Sequence, residues 1–462
     1  MIKIKKNITA ASLVKDCKKV FEAAGPKIKS INKSNLKETP VFTIKGKYTQ
    51  RGWTEWTQGF QFGCAILQFD ATNEAEFLKI GRDNTLNKMA HHISHIGVHD
   101  HGFNNVSTYG NLLRLMHEKK IPFNEWEKNF YELSLKITGA VQASRWMSLP
   151  NNLGYITSFN GKHSLFSDTI RSCRALAVSH QLGHVLMAEQ DEKVNLLVRL
   201  LQHAETTARY NVYFGKSRDT YDIRGRVVHE SIFNTANGVY RCPSSQQGYS
   251  PFTTWTRGHA WILAGYPEQI EFLEALPEKE FTNILPGIFK NKKEVLSRFL
   301  EVADATADFY LEQTPTDGIP YWDTGAPGLS KMGNYLDKPA DPFNAHEPVD
   351  SSAAAIAAQG LIRLGFYYLG KKQTAKGNRY LSAGLTTAQN LFQEPYLSFD
   401  SNHQGLLLHS VYHRPNNWDH IPKGQKVPNG EACMWGDYHL MELALLISRI
   451  GKNEPYYRFF TN

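Results

Sequence analysis

Cysteine is scarce in this chain, and its distribution excludes two classes of protein. Five cysteines are spread over 462 residues, and no two of them form a Cys-x-x-Cys pair. A zinc ribbon or a disulfide framework requires closely spaced or evenly paired cysteines. We therefore expect neither, and we predict buried, reduced thiols instead.

Long hydrophobic runs are also missing. No stretch of 18 apolar residues is present, as a membrane-spanning helix would require. Residues 1–19 are basic but lack the apolar core of a signal peptide. We expect no membrane segment, and because no signal peptide is visible we predict a cytoplasmic or periplasmic protein.

Charge of one sign is not concentrated anywhere. The formal net charge is +8, yet no long Lys/Arg block occurs and the aromatic residues do not alternate with basic ones. This pattern does not favour nucleic acid as a partner. Gly-x-Ser-x-Gly, Walker and Gly-x-Gly-x-x-Gly motifs are absent, which argues against a serine hydrolase and a nucleotide site. His91 and His95 lack the His-Glu-x-x-His arrangement, so we predict no metal and no cofactor.

What the chain does contain is helical periodicity. Apolar residues recur at spacings of three and four in ten to twelve segments, which predicts as many helices. One example is the face formed by Trp126, Phe130, Leu133 and Ile137. The one predicted β region is 214–250, with a hairpin signal at Asn237-Gly238. Three polar or Gly/Pro-rich stretches are predicted as loops: 25–52, 147–166 and 314–348.

Successive helix pairs of this number build either an open solenoid or a closed toroid of six hairpins. A solenoid needs a polar capping repeat at each end. The last predicted helix is instead apolar on several sides, with Met441, Leu443, Leu446 and Ile450. We therefore predict that it closes against the first hairpins and that the connecting loops gather at one rim.

Residues 247–261 form an unusual aromatic stretch. Trp255, Arg257 and Trp261 lie close together where a turn enters an apolar helix. A cation beside flat aromatic faces suits an anionic ring, which would stack on the indoles while the guanidinium binds a carboxylate. The alternative is a buried aromatic helix in which Arg257 pairs with a structural carboxylate.

Three aspartates lie in loops or at helix starts. Asp100, in His-Asp-His-Gly-Phe, either takes part in chemistry tuned by its histidine neighbours or orders its loop. Asp168, in Phe-Ser-Asp, is either a functional acid or a helix cap, and Asp350 is predicted to be a cap. His229 lies in the predicted β region and either faces a cleft or has a structural role.

An ordered set of motifs resembles the unsaturated glucuronyl hydrolases, glycoside hydrolase family 88. The resemblance covers about residues 50 to 450. Its pieces are Trp-Thr-Gln-Gly-Phe (56–60), His-Asp-His-Gly-Phe (99–103), Phe-Ser-Asp (166–168), Gln-Gly-Tyr-Ser (247–250), Trp-Thr-Arg-Gly-His-Ala-Trp (255–261), Asp-Gly-Ile-Pro-Tyr-Trp-Asp (317–323), Asp-Ser-Ser-Ala-Ala-Ala-Ile (350–356) and Trp-Gly-Asp-Tyr (435–438).

The resemblance implies an all-α fold, an (α/α)6 barrel with long loops and a small β-hairpin insertion. Residues 1–50 are predicted as an N-terminal helix and extension, and residues 51–462 as the catalytic barrel. It also implies a substrate, namely a 4,5-unsaturated uronyl oligosaccharide from a glycosaminoglycan, ulvan or a similar polyanion. We expect a monomer or a homodimer.

By the same resemblance, the enzyme hydrates the C4=C5 vinyl ether of that uronic acid, with Asp168 as proton donor and Asp100 as the second carboxylate. Protonating a vinyl ether near pH 6 suggests a raised pKa for Asp168. The matching residues for substrate binding are Trp56, His99, His229, Gln247, Arg257 and Trp261.

The chain departs from the family pattern at Arg171, Arg174 and His259. The two arginines either contact a sulfate or second uronate, or form surface ion pairs, which we favour. Three rivals remain: an unsaturated rhamnogalacturonyl hydrolase of the family 105 type, a catalytically silent carbohydrate-binding barrel, and an inverting glycosidase whose two carboxylates lie about 6.5–9.5 Å apart.

Overall fold

The structure is a computed structural model that describes residues 1–34, 38–52 and 55–460. Helices dominate this part of the chain, as predicted. The thirteen α-helices found there are α1 (Val14–Lys33), α2 (Gln58–Thr72), α3 (Ala75–Lys88), α4 (His101–Asn105), α5 (Asn111–His117), α6 (Glu125–Ser144), α7 (Cys173–Gln181), α8 (Leu196–Tyr210), α9 (Thr256–Ala275), α10 (Lys292–Gln313), α11 (Ser351–Gly370), α12 (Thr374–Leu391) and α13 (Met434–Gly451).

Six helical segments form a closed inner ring. Contacts run from α2 to α4, then to α7, α9, α11 and α13, and α13 returns to α2. A π-helical turn, Val106–Gly110, joins α4 to α5 within one of these segments. The predicted closure of the last helix against the first hairpins is thus confirmed.

Six further helices pack outside this ring, each against an inner neighbour. They are α1, α3, α6, α8, α10 and α12, and in chain order they alternate with the inner segments. The inner helices are buried almost all round, which explains why α9, α11 and α13 are apolar on several faces. The small residues of α11 permit close approach: a Cβ on Gly360 would lie 2.2 Å from the carbonyl oxygen of Leu263 on α9.

In the part of the chain that the structure describes, nine short strands form four small antiparallel sheets in the loops. The pairs are β1 (Pro40–Ile44) with β2 (Lys47–Gln50), β3 (Trp146–Leu149) with β4 (Leu153–Ile156), and β6 (Val185–Met187) with β7 (Lys193–Asn195), while β5 (Ser164–Phe166), β8 (Glu230–Phe233) and β9 (Tyr240–Ser244) form one sheet in the order β5-β8-β9. The β8–β9 pair confirms the hairpin predicted at Asn237-Gly238, where Gly238 has φ +70°.

The predicted loops contain more regular structure than expected. Helix α1 continues through Pro26 to Lys33 because its buried face, including Ile28 and Ile31, packs against α13 and α2. Strands β1 and β2 follow within 25–52, β4 and β5 lie within 147–166, and β3 begins one residue before that range. These loop predictions were wrong because tertiary pairing, which local composition does not reveal, orders the backbone.

Helices α2 and α3 are separated at Asn73, whose backbone is left-handed with φ +61°. The predicted boundary between residues 50 and 51 stays a prediction. No helix in the described ranges combines the length and the apolar composition that crossing a bilayer requires.

The cysteine prediction holds with one exception. Cys17, Cys64, Cys173 and Cys433 are free and buried, whereas Cys242 on β9 is free but exposed.

Candidate active site

A cavity of about 380 Å³ lies where loops and helix starts of the inner ring converge. Seven of the eight residues predicted for the site line it, although they come from distant parts of the sequence. The lining residues are Trp56, His95, Gly97, Val98, His99, Asp100, Phe159, Asp168, Gln246, Gln247, Trp255, Arg257, Trp261, Tyr412, His413, Trp418 and Trp435. The eighth predicted residue, His229, is not among them.

The local backbone explains why the two aspartates face the cavity. Asp100 occupies the N-cap position of α4, but its side chain makes no capping hydrogen bond. Asp168 is the first residue of a 3-10 helix that precedes α7, and the N-cap position belongs to Ser167. Neither carboxylate therefore acts as a helix cap, which was the alternative that the sequence left open for Asp168.

His99 bridges these two carboxylates. Its Nε2 lies 3.0 Å from Oδ2 of Asp168 and 3.8 Å from Oδ2 of Asp100. The ring is buried and lies parallel to Phe159 and edge-on to Phe166. Burial alone would lower the pKa of His99, but the charges of both carboxylates and the hydrogen bond to Asp168 raise it above its ordinary value.

The two carboxylates respond to this environment in opposite ways. Burial and the neighbouring Asp168 charge raise the pKa of Asp100 above its ordinary value, despite the opposing effect of His99. Burial would also raise the pKa of Asp168, but the hydrogen bond from His99 and the charge of His99 lower it. The raised pKa that we predicted for Asp168 is thus wrong, because His99 stabilises its ionised form.

His229 supports Asp168 from outside the cavity wall. Its Nδ1 accepts hydrogen bonds from the backbone N–H groups of Gln246 and Gln247, at 3.0 and 3.2 Å. The proton of the neutral ring must then sit on Nε2, which is 3.8 Å from Oδ1 of Asp168. Burial lowers the pKa of His229 to about 4, so the ring is neutral at pH 7.

Arg257 makes a structural ion pair, the alternative considered from the sequence. Its Nη1 donates to Oδ2 of Asp350 at 2.7 Å and also to the carbonyl oxygen of Val411. Its Nη2 donates to the carbonyl oxygen of Tyr412 at 2.6 Å and to Oε1 of Gln247 at 3.2 Å. The guanidinium therefore ties the cavity wall together while it also lines the cavity.

Asp350 in turn caps α11, as predicted. Its Oδ1 accepts hydrogen bonds from the backbone N–H groups of Ser352 and Ala353. The same carboxylate therefore serves a helix start and a buried ion pair.

Aromatic rings form most of the remaining cavity wall. Trp56 stacks on Trp435, with ring centroids 5.3 Å apart, and Trp261 packs against Phe103. Trp255, which the sequence analysis grouped with Arg257 and Trp261, also lines the cavity. Sequence reasoning missed several other lining residues, namely Gln246, Tyr412, His413, Trp418 and Trp435. Trp435 lay inside a quoted motif, so its position there was the available signal, whereas Tyr412, His413 and Trp418 lie in a loop without periodicity.

The donor set of the site also permits cation binding. Ligand atoms of His99, Asp100 and Asp168 lie within 4.8 Å of one another, the one such group of three in the described residues. Two carboxylates and an imidazole suit a divalent cation. The chemistry proposed below requires no metal, and the absence of one stays a prediction.

Arg171 and Arg174 form ion pairs, as favoured, but these pairs are not at the surface. Arg171 lies 3.2 Å and Arg174 2.5 Å from Glu268, and all three side chains are buried. Arg171 also packs against the ring of Trp261, which lines the cavity. His259 is buried between Phe309 and Tyr310 and does not line the cavity.

The fold and the site together define a class of structure: a ring of six helical hairpins with a pair of carboxylates in an aromatic cavity. Comparison with known proteins narrows this class. No family model matches the chain. A curated unsaturated glucuronyl hydrolase from Formosa agariphila is 25% identical over 404 residues, which cover 84% of this chain and 78% of that protein.

Solved structures show the same fold. The crystal structure of an unsaturated glucuronyl hydrolase specific for heparin matches with a TM-score of 0.70 at 19% identity, covering 97% of this chain and 100% of that chain. A mutant unsaturated glucuronyl hydrolase from Streptococcus agalactiae, complexed with dGlcA-GalNAc6S, matches with a TM-score of 0.63 at 19% identity, covering 96% and 93%. The predicted resemblance to the unsaturated glucuronyl hydrolases and the predicted (α/α)6 barrel are confirmed.

Proposed function

We propose that this chain removes a 4,5-unsaturated uronic acid from the non-reducing end of an oligosaccharide by hydrating its C4=C5 vinyl ether. The observation that carries the proposal is the buried pair of carboxylates, Asp100 and Asp168, joined by His99 in an aromatic cavity. Relatives that bear the name of this activity support it.

The first step transfers a proton to C4 of the sugar. Asp168 and His99 share a proton along their 3.0 Å hydrogen bond, and Oδ1 of Asp168 is buried without a hydrogen-bond partner in the protein. As Asp168 protonates C4, the proton of the His99 imidazolium shifts along the hydrogen bond. The positive charge that develops at C5 and the ring oxygen faces a site containing two carboxylates, which stabilise it.

The second step adds water at C5. The carboxylate of Asp168 or Asp100 accepts a proton from that water, so the proton given to C4 is replaced and the cluster is restored. The product is a hemiketal at C5. Its C5–O5 bond opens to a ketone, C1 becomes a hemiacetal, and this hemiacetal releases the remaining oligosaccharide as an alcohol.

The geometry disfavours the inverting-glycosidase rival. The ligand atoms of Asp100 and Asp168 lie within 4.8 Å, whereas an inverting enzyme separates its carboxyl groups by roughly 6.5–9.5 Å to admit a water between them. The substrate class stays a proposal: fragments of a glycosaminoglycan, ulvan or a similar polyanion. The disaccharide in the Streptococcus structure supports the glycosaminoglycan member of this set.

The test is an absorbance assay on lyase-generated disaccharides from chondroitin, heparin, hyaluronan, alginate, ulvan and pectin. Hydration of the conjugated C4=C5 bond erases its ultraviolet absorbance, so a loss of signal identifies both reaction and substrate. We expect Asp168→Asn to abolish this loss, while Asp83→Asn on α3, outside the cavity, retains it.

Other outcomes would select a rival. Activity confined to unsaturated rhamnogalacturonyl substrates favours the family 105 type. Binding without any loss of absorbance favours the silent barrel. Turnover of saturated glycosides that survives Asp168→Asn contradicts the proposal altogether.

A further inference from the structure

The outer helix α6 carries an apolar face that the protein leaves open to solvent. Trp126 is 65% exposed and Leu133 is 54% exposed, and Phe130 and Ile137 lie partly exposed on the same face. Phe123, just before the helix, is 70% exposed. Most of the periodic face identified in the sequence therefore does not pack on the barrel, although the ring of Phe130 at its edge also contacts Tyr109 of the inner ring.

The opposite face of α6 makes the contacts with the inner ring. Its buried residues include Tyr131, Leu135, Thr138 and Gln142, a more polar set than the exposed one. The more apolar of the two faces of α6 is thus the exposed one. A helix that only covers the barrel does not need apolar residues on its exposed face. A contiguous exposed apolar patch on a protein surface marks an interaction site.

The exposed face has the geometry of a helix-pairing seam. Trp126, Phe130, Leu133 and Ile137 follow one another at spacings of four, three and four residues, as in the seam of two packed helices. The rings of Trp126 and Phe130 stack with centroids 5.4 Å apart and only 2° between their planes. The pair forms a flat, rigid surface beside the two aliphatic side chains.

The charges along α6 indicate how a second helix would lie. The first half of the helix carries Glu125, Glu127 and Glu132 against one lysine, Lys128, whereas Lys136 is the one charged residue of the second half. A second copy of α6 packed antiparallel places each acidic half beside the other copy's Lys136. A parallel copy places the acidic halves together, where like charges repel.

We propose that the exposed face of α6 is the interface of a homodimer in which two copies of α6 pack antiparallel across a two-fold axis. An antiparallel arrangement makes the same patch serve both chains, as a two-fold interface requires. Leu133 and Phe130 lie near its centre, and Trp126 of each chain lies beside Ile137 of the other. None of these residues lines the cavity, so the interface leaves the active site open.

A carbohydrate surface site is the competing use of exposed aromatic rings. Sugars stack on single exposed rings and also require hydrogen-bonding groups around them. Here the rings continue into Leu133 and Ile137, which offer sugar hydroxyls no partner. The composition of the stripe therefore favours a second protein chain.

The test measures the mass of the full chain by sedimentation and by light scattering across a range of concentrations. We expect a dimer that dissociates on dilution. Leu133→Glu places two carboxylates at the centre of the interface and should weaken dimerisation at least tenfold, as truncation of a central interface residue commonly does. Ile223→Glu is the matched control, since Ile223 is 56% exposed and lies outside α6.

Charge reversal tests the antiparallel orientation separately. Lys136→Glu alone should weaken the dimer, and the combination of Glu125→Lys with Lys136→Glu should restore it because unlike charges again face each other. Failure of the double variant to recover overturns the antiparallel arrangement. A chain that stays monomeric at every concentration overturns the interface. If Trp126→Ala abolishes polysaccharide binding while the protein is a monomer with or without the substitution, the exposed face binds carbohydrate and the interface is also overturned.

Discussion

Replacement of Asp350 by asparagine tests whether the charge of Arg257 holds the cavity wall together. The two side chains are 3% and 0% exposed as whole residues, and their ion pair is 2.7 Å long. Asparagine is about as good an N-cap as aspartate, so the cap on α11 survives this substitution. The change therefore removes the negative charge beside Arg257 and little else.

The expected cost follows from burial. Breaking a buried ion pair by removing one partner typically costs about 3–5 kcal/mol, because the other charge stays in a poorly solvated place. Asp350→Ala removes the cap as well and should cost about 1 kcal/mol more. For a chain of 462 residues, an unfolding entropy of about 2.1 cal/mol/K per residue gives roughly 1 kcal/mol per degree. The expected decrease in Tm is therefore about 3–5 °C for asparagine.

Thermal unfolding of both variants and of Arg257→Met measures this effect. The double variant Arg257→Met with Asp350→Asn leaves neither charge unpaired, so it should be more stable than the sum of the single changes predicts. A Tm for Asp350→Asn within 1 °C of the parent would refute the reasoning. It would mean that the guanidinium is adequately held by the carbonyl oxygens of Val411 and Tyr412 alone.

Three further predictions concern the active site and the buried histidines. His99 lowers the pKa of Asp168 against the effect of burial. His99→Gln should therefore move the limb of the kcat–pH profile that reports Asp168 to higher pH. If that limb does not move, His99 and Asp168 do not share a proton as proposed. Trp418→Ala should raise KM about 2- to 10-fold with a smaller change in kcat, since aromatic contacts contribute about 0.5–1.5 kcal/mol, and unchanged KM removes Trp418 from substrate binding. Burial lowers the pKa values of His203 and His259 to about 3. Between about pH 6.5 and pH 3 each ring therefore binds a proton in the unfolded state but not in the folded state. For each histidine, the free energy of unfolding is unaffected above about pH 6.5 and falls by about 1.4 kcal/mol per pH unit below it. The Tm of His259→Gln measured from pH 7 to 5 should therefore fall less steeply than that of the parent, and parallel curves would contradict this account.

The helical ring was predictable from the sequence because its signal is local and repeated. Apolar spacing marks the helices, and the apolar last helix indicates closure. The sequence did not predict which face each helix buries. On α6 the regular stripe of Trp126 and Leu133 points outward, while Tyr131 and Gln142 face the barrel. Periodicity establishes that a helix has a face, and only the packed neighbours determine which face is buried.

The site residues show the same difference between features that the local sequence reveals and features that only the fold reveals. The motifs that carry the family resemblance contain seven of the residues that line the cavity and were predicted to do so. The partners that determine their chemistry lie far away in the chain: His99 is 69 residues from Asp168, and Arg257 is 93 residues from Asp350. Spacing within a motif carries no information about such pairs. This is why both the pKa of Asp168 and the engagement of Arg257 emerged only from the fold.

The lowered pKa of Asp168 is compatible with its proposed role as proton donor once the cluster is considered as a unit. A lone buried acid must stay protonated to act, whereas Asp168 shares its proton with an imidazole whose own pKa is raised. The imidazolium keeps a proton within 3.0 Å of the carboxylate, and the charge of Asp100 also raises the pKa of that imidazole. The donor is therefore the hydrogen-bonded pair, and its strength is determined by the distance of His99 from the two carboxylates. On this reasoning Asp100→Asn should impair turnover by lowering the pKa of His99, even if Asp100 never touches the proton that reaches C4.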